Sequence, residues 1–127
     1  MNEYMLLVRN LADHSDAWPT ERHHEFLKAC ETYITGLQRD GRLIAAQPLA
    51  RTGAIVARRG GEPSVTAFDR TGEVQVGYYH VRATNLDDAV RIAQGNPELV
   101  YSPTARVEVR PIKTNEPETG FDYPING

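Results

Sequence analysis

The order of strand-like and helix-like segments is the feature that most limits the folds open to this chain. A short apolar run comes first, and a long amphipathic helix pattern follows it. In chain order the segments are strand, helix, strand, hairpin, strand, helix and strand: 3–9, 19–41, 42–50, 54–68, 74–84, 85–95 and 105–112. This β-α-β-(hairpin)-β-α-β order predicts a ferredoxin-like α+β domain, in which an antiparallel sheet carries two helices on one face.

The two helices are marked by apolar spacing and by their end residues. Pro19 suits the first turn of the longer helix, and Gly41 can end it in a left-handed conformation. Asn85 can cap the shorter helix, and Gly95 can close it. The longer helix has one apolar stripe, made by residues spaced three and four apart: Phe26, Leu27, Cys30, Tyr33, Ile34 and Leu37.

The remaining segments are predicted from turn-forming residues. The hairpin is expected to have strands at 54–57 and 65–68, with residues 59–63 as its turn around a glycine pair. Residues 96–103 are predicted to form a loop. A single domain is expected over residues 1–113, followed by an extended or disordered tail at 114–127.

Composition limits the classes of function. The 127 residues include 40% hydrophobic and 24% charged residues, which is typical of one globular domain. The net charge of −3 argues against a nucleic-acid-binding protein, since such proteins usually present a basic face to phosphates. No apolar run is long enough to span a membrane, and Cys30 has no disulfide partner. A cytoplasmic protein is therefore expected, and no motif indicates a cofactor or a metal.

The segment Gly77–Val81, "GYYHV", sits in the longest strand-like run. Because side chains alternate along a strand, Tyr79 is expected to face the helices, and Tyr78 and His80 the other side. That other face is predicted to mix polar and charged groups: Arg9, Tyr78, His80, Glu108 and Arg110. It would meet water in a monomer and would be enclosed between two sheets in a dimer.

Four stretches in the right order carry a resemblance to a known family. "YMLLVR", "GRLIAAQPL", "GYYHV" before "NLDDAVRIA", and "VEVRPI" resemble the YCII-related family, in particular its branch with an Asp-Gly-Pro-Phe signature. The resemblance covers roughly residues 3–113. It implies a homodimer through the sheet face, forming a dimeric α/β barrel. Some members are suspected enzymes with a His–Asp pair, a few related proteins act in the breakdown of chlorinated aromatic compounds, and others are encoded near alternative sigma factors.

The chain departs from that family's pattern at two positions. The signature reads Val65-Thr66-Ala67-Phe68, so only the phenylalanine remains. An Asp-Pro pair found in some relatives after the second helix reads Asn96-Pro97 here. Because asparagine cannot ionise, Asn96 cannot orient an imidazolium as a carboxylate would, and both changes weaken the implied catalysis.

His23 is the candidate catalytic residue. It lies three and four positions before Phe26 and Leu27, so it is expected on the apolar stripe, where an imidazole can act as a general base. The alternative is a helix-start histidine that covers the core with one nitrogen in water. The candidate ligand-binding residues are Arg9, His24, Tyr78, Tyr79, His80, Asn96 and Arg110. His14 with Asp13 and Asp16 resembles a loose metal cluster, but a solvated acidic loop explains it better.

Three functions stay open from the sequence. The first is an enzyme acting on a small organic molecule, such as an aromatic compound, with His23 as base. The second is a non-catalytic dimer that binds a small ligand or a protein and has a regulatory role. The third is a structural partner module with no ligand.

Overall fold

The computed structural model describes residues 1–124, and its main sheet has four antiparallel strands in the order β2-β5-β1-β6. The elements are β1 (Asn2–Leu11), α1 (Thr20–Arg39), β2 (Leu43–Pro48), β3 (Ala54–Arg59), β4 (Glu62–Ala67), β5 (Glu73–Ala83), α2 (Leu86–Gln94), α3 (Pro97–Tyr101), β6 (Arg106–Pro111), β7 (Asn115–Glu116) and β8 (Phe121–Asp122). β5 lies between β1 and β2, and β1 lies between β5 and β6, so the two strands of each βαβ unit are separated by one strand of the other unit. This is the ferredoxin-like arrangement. The predicted α+β fold is therefore confirmed.

Burial alternates along the two central strands, as expected for a sheet covered on one face. Leu6 and Val81 are fully buried beneath the helices, and Tyr79 is 9% exposed. Tyr78 and His80, which flank Tyr79 in sequence, are half-buried and lie on the uncovered face. This confirms the predicted assignment of "GYYHV" to two faces. Asn85 also caps α2 as predicted, because its side chain accepts a hydrogen bond from the backbone N–H of Asp88.

A β-bulge in β5 shapes the inner face of the sheet. Val8 pairs with Gly77, but Arg9 pairs with Gln75, so one residue of β5 has no opposite partner. A Cβ atom at Gly77 would lie 3.1 Å from the backbone oxygen of Gln47 on β2. Glycine at this position therefore lets β2 approach β5 closely at the bulge.

The β3–β4 hairpin forms a separate two-stranded sheet with longer strands than predicted. Gly60 and Gly61 have φ angles of +59° and +84°, which permit a two-residue turn. Pairing therefore continues up to Arg59 and Glu62, and the predicted turn at 59–63 was wrong. The turn is shorter than the five residues predicted, because two adjacent glycines with positive φ reverse the chain within two residues.

Two segments near the C-terminus differ from simple loops. The predicted loop at 96–103 is wrong, because α3 occupies its middle, capped by Asn96 and starting at Pro97. In the segment predicted as a tail, β7 and β8 pair as a small hairpin, and residues 125–127 lie outside the described part. Within residues 1–124, no helix is both long and apolar enough to cross a membrane.

Candidate functional site

A cavity of about 340 Å³ lies between α1 and the inner face of the sheet. Its walls are mostly carbon, with Val8 and Val76 on the strands and Phe26 and Ile34 on the helix. The bulge at Gly77 forms part of the floor. Small-molecule sites are usually concave, mostly apolar spaces of this size with a few polar groups, so this cavity is the candidate site.

His23 stands at the rim of this cavity. Its side chain lines the cavity while the residue stays exposed to solvent, one turn before Phe26 on α1. His24 is also exposed, with its ring centroid 6.5 Å from that of His23, but it does not line the cavity. The two neighbouring histidines therefore have different surroundings, although they share a helix turn.

A second histidine, His14, lies inside the cavity wall beside a carboxylate. Its side chain is 4% exposed, and its Nε2 lies 3.4 Å from Oε2 of Glu98. Its Nδ1 lies 3.0 Å from the backbone oxygen of Leu11, which can only accept a hydrogen bond. Nδ1 is therefore the protonated donor, and Nε2 faces the Glu98 carboxylate. Both side chains line the cavity.

Asn10, fully buried on β1, holds Glu98 in this position. The Asn10 side chain donates to Oε2 of Glu98 over 2.9 Å and to the Ser102 hydroxyl over 3.1 Å. Its side-chain oxygen accepts from the Leu11 backbone N–H and from the Thr104 hydroxyl, over 2.8 and 2.7 Å. Asn10 therefore ties β1, α3 and the segment before β6 together at one end of the cavity.

An aromatic cluster fixes the loop that carries His14. The Trp18 ring meets His14 and Phe26 edge-on, at centroid distances of 5.6 and 5.5 Å. The Arg22 guanidinium lies 4.9 Å from the Trp18 ring centroid and 5.1 Å from that of Tyr101, and donates to the Tyr101 backbone oxygen over 2.7 Å. These contacts pin the loop and α3 to the start of α1.

Cys30 and Tyr79 are two further titratable groups in the cavity wall. Burial, reinforced by the charges of Glu98 and Glu31, raises the pKa of Cys30 from 9.0 to about 11. Burial also raises the pKa of Tyr79 well above its usual value, with Cys30 and Glu98 adding to the effect. Both groups are therefore protonated at neutral pH, and the Tyr79 hydroxyl makes no hydrogen bond to any residue in the range 1–124.

Arg51 supplies a cation to the cavity wall beyond the end of β2. Its Nη1 donates to the Leu49 backbone oxygen, and its buried Nε has no hydrogen-bond partner among the described residues. Asn96 likewise has a buried side-chain nitrogen without such a partner, although its oxygen accepts from the Glu98 backbone N–H. In Asn96 the side chain serves as the cap of α3.

The uncovered face of the sheet holds the other predicted residues. His80 Nε2 lies 2.6 Å from Oε1 of Glu3, and His80 and Tyr78 line a separate cavity of about 420 Å³. Arg9 and Arg106 both pair with Glu73 over 2.7 Å, and their hydrogen bonds lower the pKa of Glu73 to about 2. Arg110 is exposed, 3.7 Å from Glu108.

The predicted site residues therefore fall into separate groups. His23 and Tyr79 line the cavity under α1, whereas Arg9, Tyr78, His80 and Arg110 lie on the opposite face. The sequence did not single out Glu98, because it lies in a segment read as a loop. Within residues 1–124, no group of three or more His, Cys, Asp or Glu side chains could hold a metal ion. The solvated-loop interpretation of Asp13, His14 and Asp16 was wrong for His14, whose side chain is 4% exposed and packs beside Glu98.

Comparison with known proteins identifies the family. A search of curated protein sequences finds no match to the chain. The family model described as the YCII-related domain matches residues 2–113, which is most of the 127-residue chain. With a ferredoxin-like sheet and a cavity under its long helix, this chain belongs to the YCII-related family.

Proposed function

We propose that the protein is an enzyme that holds a small organic molecule with an apolar, aromatic body in the cavity under α1. The observation that carries the proposal is one mostly apolar cavity of about 340 Å³ with an imidazole at its rim and a carboxylate in its wall. Such a pairing of apolar space with a few convergent titratable groups is typical of active sites.

His23 is the general base in this proposal. An exposed imidazole at a cavity rim can take a proton from a bound molecule and release it to water near neutral pH. The Tyr79 hydroxyl is protonated and can donate a hydrogen bond to the substrate. The reaction class is a proton transfer, which requires only the chain's own side chains.

A non-catalytic binding protein is the alternative. Its support is Asn96, which stands where some relatives carry an aspartate and which uses its side-chain oxygen to cap α3. In that case the same cavity would bind a small ligand without turnover, and the ligand-bound protein would have a regulatory role.

Replacing His23 with alanine should reduce ligand stabilisation of the fold, whereas His24→Ala should not. The histidines are adjacent and both exposed, but only His23 lines the cavity. A ligand present at about 100 times its Kd should stabilise wild type by about 2.7 kcal/mol, which is a rise in Tm of about 10 °C for a domain of this size. Thermal-shift assays with aromatic acids, phenols, quinones and lactones would measure both variants.

The two variants separate the possible outcomes of this screen. A stabilising compound whose effect is lost in His23→Ala and kept in His24→Ala supports binding at the rim of the cavity. Equal stabilisation of both variants and wild type would reject His23 as a ligand contact. Turnover of a stabilising compound by wild type would reject the non-catalytic alternative.

We also propose that the protein forms a homodimer through the uncovered face of the sheet. That face carries half-buried apolar side chains, among them Met5, Leu7 and Ile44, beside polar groups such as Tyr78 and His80. A two-fold symmetric contact would bring each patch against its own copy. This is the assembly that the family resemblance implies.

Leu7→Lys should convert the dimer into a monomer. Leu7 lies on central strand β1 and faces outward, so the charge can stay solvated in a monomer but not between two sheets. Val56→Lys is the matched control, because Val56 is 68% exposed on the separate hairpin. Light scattering after size-exclusion chromatography should give twice the chain mass for wild type and the control. A monomeric wild type would reject the proposed assembly.

A further inference from the structure

We infer that Glu98 is a second proton-accepting group inside the cavity, positioned by His14 and Asn10, and that it acts with Tyr79 on aryl compounds bearing a C–H next to a carbonyl. The inference rests on the proposed function, since it assumes that the cavity holds a small aromatic molecule. It adds a catalytic residue and a substrate class to that site.

The two oxygens of Glu98 have different surroundings. Oε2 accepts from the Asn10 side chain over 2.9 Å and faces His14 Nε2 at 3.4 Å. Oε1 makes no hydrogen bond within residues 1–124, and it is not among the fully buried polar atoms without partners. One oxygen therefore fixes the carboxylate, and the other is open in a side chain that lines the cavity.

His14 acts through Glu98 rather than on the substrate. Its Nδ1 donates to the Leu11 backbone oxygen, and its Nε2 faces the carboxylate, so a proton between Nε2 and Oε2 would join the pair. The edge of Trp18 holds the ring in place at a centroid distance of 5.6 Å. His14 is therefore a positioning residue beside the Glu98 side chain, which is 12% exposed.

Asn96 fixes the start of the helix that carries Glu98. Asn96 caps α3 and binds the Glu98 backbone N–H, so the first turn of α3 carries the carboxylate into the cavity two residues later. Asn96 thus orients the segment that Glu98 occupies.

Tyr79 supplies the complementary donor. Tyr79 lines the same cavity, and its protonated hydroxyl has no hydrogen-bond partner among residues 1–124. Glu98 and Tyr79 both line this cavity. An anionic acceptor and a neutral hydroxyl donor in one apolar space suit the formation of an enolate.

The proton transfer balances without any other reactant. Glu98 Oε1 takes the proton from the carbon next to the carbonyl, and the C–H electron pair becomes the C=C bond of the enolate. The carbonyl π pair moves to its oxygen, which accepts a hydrogen bond from Tyr79. The protonated Glu98 exchanges its proton with the solvent and returns one to the same carbon, so the net result in D₂O is exchange of that C–H for C–D.

The test measures C–H exchange of 2-indanone and phenylpyruvate in D₂O by NMR, with thermal shift on the same samples as the binding readout. Glu98→Gln should keep probe binding within about threefold and lower the exchange rate about 100-fold, which is the usual effect of losing a general base. Glu25→Gln is the matched control, because Glu25 is an exposed carboxylate on α1 that does not line the cavity, and it should exchange at the wild-type rate. His14→Gln should change the pH profile of exchange and leave binding intact.

Two results would overturn the inference. One is an exchange rate in Glu98→Gln within about threefold of wild type. The other is a wild-type protein that binds a probe but exchanges it no faster than buffer. In that second case the cavity remains a binding site, so the proposed ligand site would stand while the role of Glu98 would fall. If neither probe bound, the proposed substrate class would be rejected. The thermal-shift screen with His23→Ala would then test separately whether the cavity binds any ligand.

Discussion

Replacing Asn10 with alanine should lower the free energy of unfolding by about 3–4 kcal/mol, one of the two largest effects that we expect from the structure. Asn10 is fully buried and takes part in four side-chain hydrogen bonds, one of them to the carboxylate of Glu98. Its loss would leave a buried charge with one donor fewer and the Leu11 backbone N–H without its side-chain acceptor. Ser102 and Thr104 would each lose one partner and keep only the hydrogen bond between their hydroxyls. Urea unfolding monitored by circular dichroism would measure the change.

Asn2→Ala provides the matched control on the same strand. Asn2 is exposed and makes one side-chain bond, to the Thr84 backbone oxygen over 3.3 Å. Its replacement should change the free energy of unfolding by less than about 0.5 kcal/mol. Equal losses in the free energy of unfolding for Asn10→Ala and Asn2→Ala would show that the burial and hydrogen bonds of Asn10 do not stabilise the fold.

The fold was predictable because local and long-range signals agree. The stripe on α1 and the alternation of Tyr78, Tyr79 and His80 each assign side chains to a face, and the element order then leaves one sheet arrangement. The elements that were missed are short. Helix α3 has five residues, too few to show a helical period, and only Asn96 with Pro97 marks its start.

The site was less predictable, because its residues meet only in the folded chain. Glu98 and Asn10 are separated by 88 positions, and no spacing pattern connects them. The sequence indicated His23 and Tyr79, which share the cavity, but it also grouped Arg9 and His80 with them as candidates. Those two face the other side of the sheet, as the strand alternation predicted, and pair there with Glu73 and Glu3.

A conserved motif could not have indicated the His14–Glu98 pair, but a buried-charge argument could have suggested part of it. A glutamate directly after a capped Asn-Pro start tends to lie in the first helical turn, where the helix dipole favours a negative charge. With α3 recognised, Glu98 would have been expected at a fixed helix start rather than in a mobile loop. The partner His14 would still have required the tertiary structure.

The second large effect concerns Cys30. At pH 8, iodoacetamide should alkylate the native protein about 100-fold more slowly than the chain unfolded in urea, because only the thiolate reacts and the thiolate fraction falls about tenfold for each pKa unit. Burial and the charges of Glu98 and Glu31 raise the pKa of Cys30 from 9.0 to about 11. The rate difference should narrow as the pH rises from 9 to 11, when the native thiol also ionises. Mass spectrometry of timed samples would follow the reaction.

The chain offers its own controls for this experiment, because Cys30 is its single cysteine and the label can react at no other thiol. Glu98→Gln removes one of the charges that raise the pKa of Cys30, so the native protein should react several-fold faster than wild type. A ligand in the cavity should slow the reaction further, since Cys30 lines its wall. Equal native and unfolded rates at pH 8 would mean that Cys30 is accessible and has an ordinary thiol pKa, which would contradict its place in the cavity wall.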